Sequence, residues 1–428
     1  MPEEPNRNVV IPPQKLNDAL QGLLQKAANE DGLESAGFAL EKEQIDQFRA
    51  IAAQVAAQGT DSVFATSQDR LTSLLQAYIA ENADQLEKPQ DDTGLEAKFD
   101  TRDLVGWAGS FFHWAGSLHP HDWIAPPETP WTVPDRCRLA VVADWGSGLY
   151  GAPVIAESIG RDSDGFDIIL HLGDVYYAGT EKEVRTRFID LWPSNARLTS
   201  LATNGNHEMY SGGYGYFDTL LPELAARARD TTMRQKSSCF ALQNTNFLMV
   251  GLDTAYQDHA MNELQVLWLR RVIKQAGSRK VVLFSHHQPY SQFETQGPKL
   301  VSALGELLSS GRIFAWYWGH EHRLVIFDQH PQWRLYGRCI GHGGMPYFRD
   351  KFAGSSPGTT AFYSQATKDV AGIRVPASNT LDGPNPYLGD NRSNYGPNGF
   401  VTLLFDGDQI NESYRLPDNQ EVRNGTIR

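Results

Sequence analysis

Five short apolar runs, each ending in a residue of metal-ligand type, constrain this chain more than any other feature. They read Leu139-Ala-Val-Val-Ala-Asp144-Trp-Gly146, Ile168-Ile-Leu-His-Leu-Gly173-Asp174-Val-Tyr-Tyr177, Leu201-Ala-Thr-Asn-Gly205-Asn206-His207-Glu208, Val281-Val-Leu-Phe-Ser-His286-His287 and Trp318-Gly319-His320-Glu321-His322. Short runs rich in β-branched residues read as buried strands. In open α/β sheets polar side chains collect where such strands end. The five blocks are therefore expected to meet at one sheet edge.

Carboxylates, a carbonyl amide and imidazoles are donors suited to Zn, Mn or Fe, and one carboxylate can bridge two ions. Asp144, Asp174, Asn206, His286, His320 and His322 can fill the surroundings of two adjacent cations, with Asp174 as the bridge. Gly173, Gly205 and Gly319 stand just before ligands, where a sharp bend or close backbone approach leaves no room for a side chain. A lone Gly-Asn-His or Gly-His-x-His is ordinarily just a turn. All five in order, most with strand-like runs before them, point instead to a metal-dependent hydrolase.

These blocks resemble the calcineurin-like metallophosphoesterases, and among them the purple acid phosphatase branch, over about residues 138 to 345 and 398 to 418. The wider superfamily has Asp-x-His after its first strand; here the third position is Gly146. Purple acid phosphatases share that loss and use a tyrosinate three residues after the bridging aspartate, the place of Tyr177; Tyr176 is the neighbour that can be confused with it. The resemblance implies that Asp144, Asp174, Tyr177 and His322 hold Fe(III), and that Asp174, Asn206, His286 and His320 hold a divalent Fe, Zn or Mn. A ferric tyrosinate absorbs visible light, so a purple or pink protein is implied.

The implied reaction is hydrolysis of phosphate monoesters by metal-activated hydroxide, the bound water's pKa falling to roughly 7. A phosphodiesterase, including one for cyclic nucleotides, is the alternative on the same site. A metal-binding regulatory protein with a vestigial site, and a hydrolase of a non-phosphate ester or unusual phosphorus compound, are the others. His207 resembles the family histidine that contacts phosphate or protonates the leaving group. Glu208 is expected to orient a neighbouring histidine. The family often carries further histidines beyond the one matching His286; here the stretch runs His287-Gln-Pro-Tyr-Ser-Gln-Phe-Glu294-Thr-Gln296, so His287 or Glu294 is left as the substitute, or His287 is a buried, hydrogen-bonded histidine. His342 reads as a loop histidine or a substrate contact, and His171, inside a strand run, as a core residue.

With 428 residues, of which 41% are hydrophobic and 21% charged, the chain can bury a large core. A formal charge of -13 argues against nucleic acid or an anionic membrane as partner, because phosphate backbones are held by clustered Lys and Arg. No apolar run reaches the ~18 residues of a membrane helix. The partner expected is a small-molecule phosphoester. Cys137, Cys239 and Cys339 are too few for a disulfide framework, and Met1-Pro-Glu-Glu-Pro-Asn lacks the features of a signal peptide, so a cytoplasmic location is expected.

The fold expected is α/β: the family's two-sheet β-sandwich flanked by helices, at 131–428, preceded by a helical N-terminal domain at 1–130. Leu71, Leu74, Leu75, Tyr78 and Ile79 make one helical stripe, Ile45, Phe48, Ala52 and Val55 a second, and Leu16, Leu20, Leu23 and Leu24 a third. The resemblance stops at this region, whose partner is unknown. Trp107-Ala-Gly-Ser-Phe-Phe-His-Trp114 and the Pro-rich 120–134 read as a docking segment for it, or else as a partner-binding surface. Helices are expected over Glu181–Trp192, Asn262–Gln275 and Pro298–Ser309, and a hairpin over Phe400–Arg415 turning at Asp406-Gly407. Ser211–Tyr216 reads as a loop able to close over a substrate, or as a plain surface loop. Residues 349–398 read as a long insertion or lid loop.

Overall fold

The computed structural model describes residues 70–86, 111, 114–193, 198–228, 230, 232–349, 352 and 358–428. Its strands are β1 (Trp131–Thr132), β2 (Cys137–Val142), β3 (Ile168–His171), β4 (Thr199–Ala202), β5 (Phe240–Gln243), β6 (Phe247–Leu252), β7 (Lys280–Ser285), β8 (Ile313–Trp318), β9 (Leu324–Phe327), β10 (Tyr336–Ile340), β11 (Ala361–Gln365), β12 (Lys368–Val370), β13 (Ile373–Val375), β14 (Ser378–Asp382), β15 (Phe400–Asp406), β16 (Gln409–Arg415) and β17 (Glu421–Ile427). One large sheet runs β17-β16-β15-β2-β3-β4, with β2, β3 and β4 parallel; the second runs β1-β5-β6-β7-β8-β10-β9-β14-β11, with β6, β7 and β8 parallel; β12 and β13 form a small two-stranded sheet of their own.

The strands alternate between two apolar environments. Leu139 and Val141 of β2, Ile168 and Leu170 of β3, Met249 of β6, Val282 and Phe284 of β7 and Tyr317 of β8 pack into one core between the sheets. Ala140, Val142 and Ile169 face outward, onto the helical segments Ala152–Gly160 and Val184–Ile189. Val281, Leu283, Trp316 and Trp318 face outward on the other sheet, beneath the helices Glu263–Gln275 and Pro298–Ser309. Burial on both faces explains why these strands read as unbroken apolar runs. Arg338 on β10 and Glu412 on β16 form a buried ion pair across the sandwich (3.0 Å), and the Tyr317 hydroxyl donates to the same carboxylate at 2.7 Å.

The helix Glu263–Gln275 begins where Asn262 caps it, its side chain accepting from Gln265 N–H at 2.8 Å. Pro298–Ser309 is helical as expected, whereas Glu181–Glu183 runs into a π-helical segment, Val184–Ile189. The hairpin turns one residue later than expected, because Asp406 pairs with Gln409 and leaves Gly407-Asp408 at the corner. Within 349–398, β14 pairs with β9 and β11 with β14, so much of that stretch extends the sheet; β9 would otherwise be an edge. After Gly212 and Gly213, the Ser211–Tyr216 segment passes into the π-helical segment Gly215–Leu220, with Tyr214 exposed.

Of the N-terminal stripes, one falls on described residues. Helix Arg70–Leu86 buries Leu74, Leu75 and Tyr78, while the stripes at Leu16–Leu24 and Ile45–Val55 lie outside the described residues. Tyr78 packs edge-on against Phe111 and at a tilt against Trp114, with ring centroids 5.9 and 5.4 Å apart. Polar contacts fasten the helix to the sandwich: Arg70 donates to Tyr210 O (3.0 Å), Thr180 Oγ1 to Glu81, and Lys182 to Glu81 O (3.0 Å). Among the described residues no helix is long and apolar enough to cross a membrane.

Candidate metal centre

The five blocks converge at one end of the sandwich, but from two sheets rather than one. Asp144, Asp174 and Asn206 follow β2, β3 and β4 of the six-stranded sheet; His286, His320 and His322 follow β7 and β8 of the nine-stranded one. Parallel strands within each sheet release their C-terminal ends on the same side, and packing the sheets face to face puts the two edges together. Asp144, Asp174, His320 and His322 adopt positive φ of 56, 74, 71 and 54°. Such conformations are uncommon without a glycine and cluster at sites that the surrounding fold must enforce.

The donors form two groups that share one residue. Near Asp174 Oδ2 stand Tyr176 OH (3.1 Å) and His322 Nε2, itself 2.7 Å from that hydroxyl and 3.5 Å from Asp144 Oδ1. Near Asp174 Oδ1 stand His286 Nε2 (3.4 Å), with Asn206 Oδ1 at 2.9 Å and His320 Nδ1 at 3.2 Å from that nitrogen. The donor atoms of Asp144, Asp174 and His322, and those of Asp174, His286 and His320, each lie within 4.8 Å of one another. A Cβ on Gly205 would sit 2.1 Å from Asp174 Oδ1, and one on Gly319 2.5 Å from Asp144 Oδ2, so both glycines are required by the close approach.

The second group fits a cation on its donor chemistry. His286 Nδ1 is 2.9 Å from Leu172 O and so carries the proton. Asn206 Nδ2 donates to Tyr210 OH (2.8 Å), which turns its carbonyl inward. Lone pairs of His286, Asn206 and His320 therefore converge, as metal ligands do when each is fixed from behind. With the protein alone a proton must fill that place: burial lowers the basicity of His286, but Asp174 and Asp144 outweigh it and raise its pKa to about 9. Burial raises the Asp174 carboxyl, yet His286 and His207 hold it well below the usual range. Burial pushes Asp144 well above its usual value, and lowers His322 to about 3.

The phenol at the first group differs from expectation. It is Tyr176 whose hydroxyl reaches Asp174 and His322, while the Tyr177 ring lies under the Arg187 guanidinium at 4.7 Å. Counting three residues from Asp174 assumes a turn geometry that tertiary contacts override here. Glu183 accepts from Tyr177 N–H (2.6 Å) and Ala178 N–H (2.9 Å), and Arg187 pairs with Glu183 (3.3 Å) while donating to Tyr176 O (2.8 Å). That clamp turns Tyr177 aside, and burial pushes its phenol up to about 12.

Glu208 also differs from expectation: it orients backbone, not a histidine. Its carboxylate accepts from the N–H groups of Asp174 (3.0 Å), Val175 (3.0 Å) and Gly205 (2.9 Å), tying two ligand loops together. His207 stacks on Tyr176 with ring centroids 3.7 Å apart, and its Nδ1 lies 2.6 Å from Tyr177 O, leaving Nε2 buried with no hydrogen-bond partner among the described residues. Burial lowers the pKa of His207. His287 is fully buried behind His320, and Glu294 Oε2 is 3.6 Å from His320 Nε2. His342 is a buried loop residue with Nδ1 3.2 Å from Ile340 O, and His171 packs on Phe188 and Trp192.

His259 is the residue the sequence reading passed over. It stands 3.4 Å from His320, in the loop Leu252-Asp-Thr-Ala-Tyr-Gln-Asp-His259 after β6. The strand-end rule that found the other ligands applies to β6 as well, and would have singled out this loop.

Residues 137–324 match the family model described as calcineurin-like phosphoesterase. Among solved structures, a purple acid phosphatase from yellow lupin (Lupinus luteus) seeds is 16% identical, with a TM-score of 0.48 over 70% of this chain and 54% of its own. PhoD is 12% identical, with a TM-score of 0.43 over 72% of this chain and 70% of its own. A Vps29 single mutant from Entamoeba histolytica is 12% identical, with a TM-score of 0.25 over 68% of this chain and 98% of its own. The chain thus spans about half the length of the lupin protein. No curated protein matches it.

Proposed function

We propose that this chain is a phosphoesterase working with two adjacent cations, and that phosphate monoesters are its preferred substrates. One observation carries the reading: two groups of donors share Asp174, with one of its oxygens turned to each. Asp144, Asp174, Tyr176 and His322 would hold one ion, and Asp174, Asn206, His286 and His320 the other. The first group, oxygen-rich and with a phenol, suits Fe(III); the second, richer in imidazole, suits divalent Fe, Zn or Mn. Ions held there supply Lewis acidity toward a phosphoryl group and lower the pKa of a bound water.

The chain's own groups do the rest. Glu208 fixes the Asp174 and Gly205 loops to each other, so the bridging carboxylate and Asn206 keep a constant separation. His207, wedged by Tyr176 and tied at Nδ1, presents Nε2 in a single direction. With Nδ1–H held by Tyr177 O, Nε2 carries a lone pair in the neutral ring. It holds a phosphoryl oxygen or passes a proton to the leaving oxygen once the negative charge of a bound phosphate has drawn a proton onto it. The buried walls keep bulk water away from the reacting atoms, which strengthens each of these interactions.

The test is a comparison of initial rates on p-nitrophenyl phosphate and bis(p-nitrophenyl) phosphate with metal-loaded protein. Faster turnover of the monoester is expected; faster turnover of the diester would make the chain a phosphodiesterase. Failure to hydrolyse any ester of a broad panel, with two ions bound, would leave a metal-binding regulatory protein.

A further inference from the structure

Behind the second group, and sharing His320 with it, lies a histidine cluster whose other two members, His259 and His287, the two-ion reading does not use. Ring nitrogens of His259, His287 and His320 lie within 4.8 Å of one another, and the rings of His259 and His287 are 3.8 Å apart. Each imidazole is held at one nitrogen and turns the other inward. His287 Nδ1 lies 2.8 Å from Thr254 O, His259 Nδ1 2.7 Å from Asp258 Oδ1, and His320 Nδ1 belongs to the group around Asn206 and His286. His287 Nε2 is buried and has no hydrogen-bond partner among the described residues. Buried polar atoms without partners are rare and call for an explanation. Pairing His259 Nε2 with His320 Nε2, at 3.4 Å, leaves that atom unmatched.

We propose that His259, His287 and the outward Nε2 of His320 bind a third cation, a zinc-type divalent ion. Glu294, whose Oε2 is 3.6 Å from His320 Nε2, stands beside them as a neighbouring carboxylate. Three imidazoles and a carboxylate match the donor preference of zinc, whereas magnesium and calcium require oxygen ligands. Imidazoles fixed from behind by a carbonyl or carboxylate are the arrangement that ligating histidines show. The side chains of His259 and Glu294 are 14% and 25% exposed, which leaves the ion a way in. Binding displaces the proton on His320 Nε2 to solvent, and that ring then spans two ions, one at each nitrogen. The inference rests on the two-ion reading, which takes His320 Nδ1 for the inner pair.

Zinc-loaded, desalted protein should contain three zinc ions per chain by elemental analysis, and the His259→Ala variant two. His259 sits on a partly exposed loop, and the variant's thermal melting curve reports whether it folds. Anomalous scattering at the zinc edge should place the third peak among the three rings. Two ions in both proteins would overturn the third site and leave the inner pair intact. Three in both, or a third peak elsewhere, would overturn it as well. Fewer than two in the parent would overturn the two-ion reading itself.

Discussion

The two halves of the centre are built differently. In the Asn206–His286–His320 half, two donors are tied from behind: Leu172 O, 114 positions away on the facing sheet, holds His286, and Tyr210 OH, one turn on, holds Asn206. In the Asp144–Tyr176–His322 half the phenol depends on near neighbours in the chain: Glu183 and Arg187, 6 and 11 residues further on, hold the backbone of Tyr177 and Tyr176. Where strand ends deliver ligands directly, position in the sequence predicts position in space. Where a turn must choose between adjacent residues, the choice belongs to whatever packs against that turn.

The most severe way to break both halves at once is Asp174→Asn. Removing the shared charge should cut activity by more than about 10³-fold and lower bound metal below two per chain, measured by steady-state rates and elemental analysis. An active, fully loaded variant would show that the halves do not share this residue.

The difference between the halves is tested by the tyrosines. In iron-loaded protein, Tyr176→Phe should abolish the visible absorption band and Tyr177→Phe should keep it. The reverse result would restore the three-residue spacing inferred from sequence. Glu183→Gln loosens the clamp without touching a ligand. It should weaken metal affinity of the first half by about 10- to 100-fold and spare the second, as a competition titration with a chelator would resolve.

Gly205→Ala presses on the boundary between the halves, since its Cβ would overlap Asp174 Oδ1 at 2.1 Å. Metal affinity and melting temperature should both fall; unchanged values would mean the loop yields freely.

The smallest effect concerns Glu321, between His320 and His322. Its carboxylate accepts from Ser291 Oγ at 2.5 Å, and burial with the nearby Glu294 raises its pKa to about 8, from an ordinary 4.5. Between these values the folded chain holds a proton that the unfolded chain releases. Its contribution to stability is therefore complete below pH 4.5 and lost as pH rises through about 8. In chelator-treated protein, Glu321→Gln should gain on the parent by about 2 °C in melting temperature between pH 5 and pH 8.5. A constant difference across that range would contradict the assignment.

Sequence alone determined the runs that become β2, β3, β4, β7 and β8, the β15–β16 hairpin, and the residue types at the ends of those runs. Apolar runs buried on both faces keep their hydrophobic signature, and strand ends are where polar side chains emerge. It also marked Gly205 and Gly319, because a glycine beside a ligand signals close approach. Only the tertiary structure decided that the blocks come from two sheets, that the Tyr176 hydroxyl faces Asp174, that Glu208 ties backbone, and that His259 joins the cluster. Most of those outcomes rest on contacts between residues far apart in the chain, such as Asn206 with His286 or His259 with His320, and the tyrosine choice on a side-chain clamp that residue spacing does not encode.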